Sequence, residues 1–188
     1  MSDIVYDSKS EALSIAAATL SKASDLPDEI IAALSKKANL VEESSSGAVL
    51  PRQLQPALVG RFVIRNDVLL SLETFLSLLK TVTKLVAGFA GVGTPAGIAA
   101  ITDGIHGLYK AYTEIVAKGY KLTDDQFAVI AALRQLGDAT SSEIDKYLQK
   151  PLGAGSTEEI LDSFSILREP ARGFAVKNEL GRWQLKGL

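Results

Sequence analysis

The chain of 188 residues contains no cysteine, one histidine, one tryptophan and one methionine. Without cysteine there is no disulfide framework, no zinc–thiolate or iron–sulfur site and no cysteine nucleophile. The single histidine, His106, removes any histidine-rich metal site and leaves a Ser-His-Asp arrangement resting on one residue. Aromatic residues are scarce too: 12 Phe, Tyr and Trp stand against 24 Ala and 26 Leu. That ratio favours helices packed through aliphatic and small side chains over a β-sandwich. Neither charge is in excess, since 20 Lys and Arg oppose 22 Asp and Glu for a net charge of −2 at pH 7. Nothing global therefore attracts nucleic acid or anionic lipid, and either partner would need a local basic patch. Residues Met1 to Ser10 carry Asp3 and Asp7 and no apolar run behind positive charge, unlike a secretory signal. Together with the missing cysteine, this gives a cytoplasmic location as the expectation.

The 47% hydrophobic content suffices for a buried core. Ser8-Lys9-Ser10-Glu11 has capping-box spacing, and Leu13, Ala16, Ala17 and Leu20 then recur at helical intervals, predicting a helix over about 9–23. Asp25 as cap, Pro27 in the first turn, and Ile30, Ile31, Ala33 and Leu34 predict a second helix closing a hairpin. Residues 39–60 dissolve into Glu42-Glu43-Ser44-Ser45-Ser46-Gly47, then Pro51 and Pro56, and are expected to be a long solvated connection with a short extended piece near 61–64. From Asp67 the spacing of Leu69, Leu72, Leu76 and Leu79 predicts a helix. After a turn at 93–95, Ile98, Ile101, Ile105, Leu108, Tyr112 and Ile115 supply the seam of an antiparallel partner, so the pair spans about 67–118. Beside that seam Ala96, Ala100 and Gly104 lie four apart, a register that lets helix backbones approach closely. The longest charge-free stretch, 85–102, has 18 residues. Gly88, Gly91, Gly93, Pro95 and Gly97 interrupt it, so a buried helical hairpin is expected in preference to a membrane segment.

The last third changes character. Thr123-Asp124-Asp125-Gln126, Thr140-Ser141-Ser142-Glu143 and Ser156-Thr157-Glu158-Glu159 each open a helix with a capping box. The third helix is expected over 157–169, with Ile160, Leu161, Phe164 and Leu167 on its apolar face. Then Phe174-Ala175-Val176-Lys177 and Arg182-Trp183-Gln184-Leu185 flank Asn178-Glu179-Leu180-Gly181 as a two-stranded hairpin. Three helices followed by a β-hairpin over 121–188 resemble a winged helix-turn-helix domain, although the connection 151–155 is longer than a tight helix-turn-helix turn. The expected fold is thus mainly α: N-terminal helical hairpins over 1–119, then a winged-helix-like domain over 120–188 with a small β-hairpin wing.

Winged-helix DNA binders present basic or amide side chains from the third helix. Here Glu158, Glu159, Asp162 and Glu169 face a single Arg168, and residues 120–188 hold nine Lys and Arg against ten Asp and Glu. The candidate contacts to phosphate or to a partner are Lys150, Arg168, Arg172, Lys177, Arg182, Trp183 and Lys186. Alternation places Trp183 on the face of Leu185, a position suited to hairpin packing or to anchoring a partner. His106 with Asp103 and Lys110 makes a helix-surface cluster with no nucleophile set on a turn. The glycines at 88–97 match neither a Walker loop nor a dinucleotide fingerprint. No catalytic, cofactor or metal residues and no small-molecule substrate are expected. The expected role is a non-enzymatic interaction or adaptor protein, its winged helix binding protein and its helical region assembling with itself or a partner. One alternative is a DNA-binding transcriptional regulator that dimerises through the helical hairpin. Another is a membrane-associated protein using 85–102.

Overall fold

The structure, a computed structural model, describes residues 5–43, 61–82, 94–149, 152–153 and 155–188. The chain forms two compact units, Met1–Ser77 with Gly91–His106 and Leu78–Ala90 with Gly107–Leu188. It is mainly helical, with a small antiparallel three-stranded sheet in each unit.

In the first unit β1 (Val5–Tyr6) leads into α1 (Lys9–Lys22). The Ser8 hydroxyl accepts from the Glu11 amide at 3.1 Å, satisfying an amide with no partner inside the helix. Ala12, Ala16 and Leu20 recur every four residues and are fully buried. The second helix, α2 (Asp28–Lys37), begins later than the expected cap at Asp25: Pro27 is its N-cap, and no side chain bonds there. A turn in which the Ser24 hydroxyl accepts from the Leu26 amide precedes it, and the ring of Pro27 fixes the entry angle. After α2, Asn39 adopts φ 51°, a left-handed conformation that Asn tolerates. The Leu40 amide thereby reaches the Ser35 carbonyl. Leu40 and Val41 are buried, so the expected solvated connection begins instead with β2 (Val41–Glu43). Residues 44–60 lie outside the described residues. β3 (Phe62–Ile64) occupies the expected extended piece and is the central strand between β1 and β2.

α3 (Asn66–Thr81) and α4 (Pro95–Ala117) follow. Thr94 caps α4, its hydroxyl accepting from the Gly97 amide at 3.1 Å. Ile101, Ile105, Tyr112 and Ile115 are buried as the spacing predicts. Ala96, Ala100 and Gly104, expected to lie against a second helix, are exposed instead, because they sit away from the isoleucine stripe that is packed. Gly88, Gly91 and Gly93 are outside the described residues. No helix among the described residues is long and apolar enough to cross a membrane.

The second unit begins before the expected boundary at 119/120, since Ile115 packs into its core. It continues through α5 (Asp124–Leu136), β4 (Asp138–Ala139), α6 (Ser141–Leu148), α7 (Thr157–Ser163), β5 (Ala175–Lys177) and β6 (Trp183–Leu185). Reciprocal capping boxes open all three helices, at Thr123/Gln126, Thr140/Glu143 and Ser156/Glu159. The 151–155 connection is tied back to α5 by the Gly153 amide, which donates to Asp125 at 2.7 Å. α7 stops at Ser163, well short of the expected residue 169, and Leu167 is 89% exposed. The cause is strand pairing. The Phe164 carbonyl accepts from the Phe174 and Ala175 amides, and the Ile166 amide donates to the Ala175 carbonyl. The return turn brings Gly173 so close that a Cβ would lie 2.7 Å from the Ile166 backbone and the Glu169 carbonyl.

The two sheets have one layout. Among the described residues, each sheet is built in the order strand, helix, helix, strand, strand, with the last strand central. Val63 stands between Val5 and Glu42 as Gln184 stands between Asp138 and Val176. Phe62 pairs with Tyr6 and Glu43 as Trp183 pairs with Ala139 and Lys177, and Ile64 with Val41 as Leu185 with Ala175. In both units the first residue of the later helix is tied to the earlier helix: Ser21 donates to Asp28 at 2.7 Å, and Thr157 donates to Asp145. The second unit adds α5 ahead of the shared layout.

Candidate functional site

The hairpin of β5 and β6 is closed by Asn178, whose side-chain oxygen accepts from the Leu180 and Arg182 amides at 3.0 Å each. Gly181 sits there at φ 73°, which a residue without Cβ adopts freely. The tip therefore projects Glu179 and Leu180, and Leu180 is 82% exposed.

Behind the tip, four of the six candidate cations are paired with carboxylates of the same unit. Lys177 lies 2.5 Å from Glu158. Arg182 reaches Asp138 at 3.2 Å and Glu143 at 3.1 Å, and also donates to the Asp138 carbonyl at 2.9 Å. Arg168 pairs with Asp162 at 3.2 Å, and Arg172 with Glu169 at 3.4 Å. Arg172 also stacks over Tyr120, 5.5 Å from the ring centre. Lys186 is exposed with no ion-pair partner among the described residues. Lys150 lies outside them.

Trp183 is a core residue, only 2% exposed. Its indole N–H donates to Glu158 at 3.1 Å, and Lys177 sits over its ring. One carboxylate thus receives the strand's cation and the buried indole together. The Lys177 hydrogen bond, aided by that of Trp183, holds the Glu158 carboxyl below its ordinary value. The Glu143 carboxyl is lowered as well, first by the Thr140 amide and then by Arg182. The sequence places Glu158 in the start of the third helix and among the acids that would repel phosphate, with no partner assigned to it. The signal for its actual role was the single Trp, since a buried indole N–H requires an acceptor.

The Asp103 of the His106 cluster pairs with Lys37 at 2.6 Å, and that contact lowers its carboxyl. Among the described residues no group of three or more His, Asp or Glu could hold a metal ion. No protein-family model, no curated protein and no solved structure matches the chain. The chemistry of the second unit thus rests on its own residues. Its hairpin and turn present leucines and carboxylates outward, while four of the basic side chains point into carboxylates of the same unit.

Proposed function

We propose that the second unit is a winged-helix module that binds protein and not DNA. The order α5, β4, α6, α7, β5, β6, with β6 between β4 and β5, supports the winged-helix reading. The observation that carries the protein-binding half is the neutralisation of Lys177, Arg182, Arg168 and Arg172 by carboxylates of the same unit. A cation already held by a carboxylate has little left to offer a phosphate, and releasing it would expose the acid to the same phosphate backbone. The wing tip, where a DNA-contacting wing carries cations, carries Glu179 and the exposed Leu180.

The test is a fluorescence-anisotropy titration of a labelled random duplex at low salt. No binding is expected up to about 50 µM protein, a concentration at which nonspecific binders saturate. Saturable binding that weakens as salt rises would replace this reading with the DNA-binding regulator.

A further inference from the structure

α1 and α2 run in opposite directions over a short connection, and along their outer side lies an open cleft of about 1050 Å³. Its floor and walls are small or aliphatic: Leu13, Ser14, Ala17, Ala18 and Ala32. Because the start of α1 and the end of α2 share one end of the hairpin, Lys9 and Lys36 both line the cleft there. Neither ammonium has an ion-pair partner among the described residues, and both side chains are exposed. The opposite end carries Asp28, held by Ser21. The cleft thus combines a concave apolar middle with unspent positive charge at one end.

The same chain carries the complement. The tip of the β5–β6 hairpin is convex, it exposes an aliphatic side chain at Leu180, and Glu179 beside it has no ion-pair partner among the described residues. We infer that the α1–α2 cleft receives the hairpin tip of a second copy of this chain, with Leu180 over the Ala17 and Leu13 floor and Glu179 between Lys9 and Lys36. This rests on the protein-binding reading of the second unit and names its partner. A concave face does not fill its own image, so a two-fold pairing of cleft with cleft is unsuited, whereas a turn fits a cleft. A four-residue tip buries far less than the roughly 800 Å² per partner of a stable interface. The association is therefore weak and reversible, and because donor and acceptor surfaces differ it is head-to-tail.

Sedimentation velocity on the full chain, from about 10 µM to about 1 mM, reads it in the range where weak contacts form. The weight-average sedimentation coefficient is expected to rise with concentration in the wild type. Leu180→Asp, at a fully projecting position, should weaken association by about tenfold or more. Lys9→Glu and Glu179→Lys should each weaken it by about two- to fivefold, and the double variant should recover most of the loss. Lys9 is the first residue of α1, where an acid suits the helix dipole, so Lys9→Glu is compatible with folding. Far-ultraviolet circular dichroism on each variant confirms that. A single species at all concentrations, Leu180→Asp associating like the wild type, or a double variant no better than the singles would each overturn the inference. Absence of self-association together with absence of DNA binding removes this partner alone, whereas DNA binding removes the reading beneath it.

Discussion

Glu158 and Tyr120 mark two opposite treatments of a buried polar group. The Trp183 N–H is satisfied by Glu158, and the Tyr120 hydroxyl is buried with no hydrogen-bond partner among the described residues. Tyr120→Phe should therefore be neutral or stabilising by about 1 kcal/mol, since it deletes an unmet donor while keeping the edge-on contacts with Phe164 and Phe174. Glu158→Ala should cost about 1–2 kcal/mol, because the buried indole loses its acceptor. Gly173→Ala should cost about 2 kcal/mol or more, the new methyl having only backbone atoms to displace. Urea denaturation followed by Trp183 emission measures all three. At this scale the sequence announced the caps but not the pairings: a Thr-x-x-Gln spacing specifies its own partner three residues away. Nothing between Glu158 and Trp183, 25 residues apart, states that they meet.

The helix starts at Ser8, Thr123, Thr140 and Ser156 were legible because capping is local, whereas that of α2 at Pro27, which has no side-chain cap, was not; the same locality makes the capped starts testable. Thr140→Ala should lower stability by about 1 kcal/mol, seen as a lower urea midpoint with unchanged slope. Helix ends were less legible. Leu167 has helical spacing from Phe164 and Ile160, yet strand pairing at Phe164 and Ala175 removes it from the helix, and no local signal records that competition. Likewise Val41 and Glu42 read as the start of a polar linker until β3, some twenty positions later, supplies a partner strand. The hairpin is fastened to α6 and α7 by carboxylates whose folded values are lowered, Glu143 and Glu158. A lowered carboxyl contributes stability that is fully present above the ordinary value and lost as pH falls through the folded one. The melting temperature should thus hold steady from neutral pH to about 5 and drop below about 4.3, the ordinary glutamate value. Trp183 emission should shift to longer wavelength over that same interval.

For the molecule as a whole, the fold class followed from composition, but the limits of the second unit did not. Periodicity ran α4 as one uninterrupted helix, and only packing shows that Ile115 belongs with Val129, Leu133 and Phe164. A fragment of residues 78–188, which holds the whole second unit, should accordingly fold cooperatively and give the short-wavelength emission of a buried indole. A fragment beginning at 120 loses Ile115 and should be weaker by about 2 kcal/mol or more in urea titration. The shared layout of the two sheets was not visible in the residues, because identical pairings are built from Phe62-Val63-Ile64 in one unit and Trp183-Gln184-Leu185 in the other. That concordance means that main-chain pairing by itself does not tell one unit's flanking strands from the other's. Fidelity during folding falls to chain connectivity and side-chain shape: an indole that must find a glutamate in one place, and a phenylalanine with no such demand in the other.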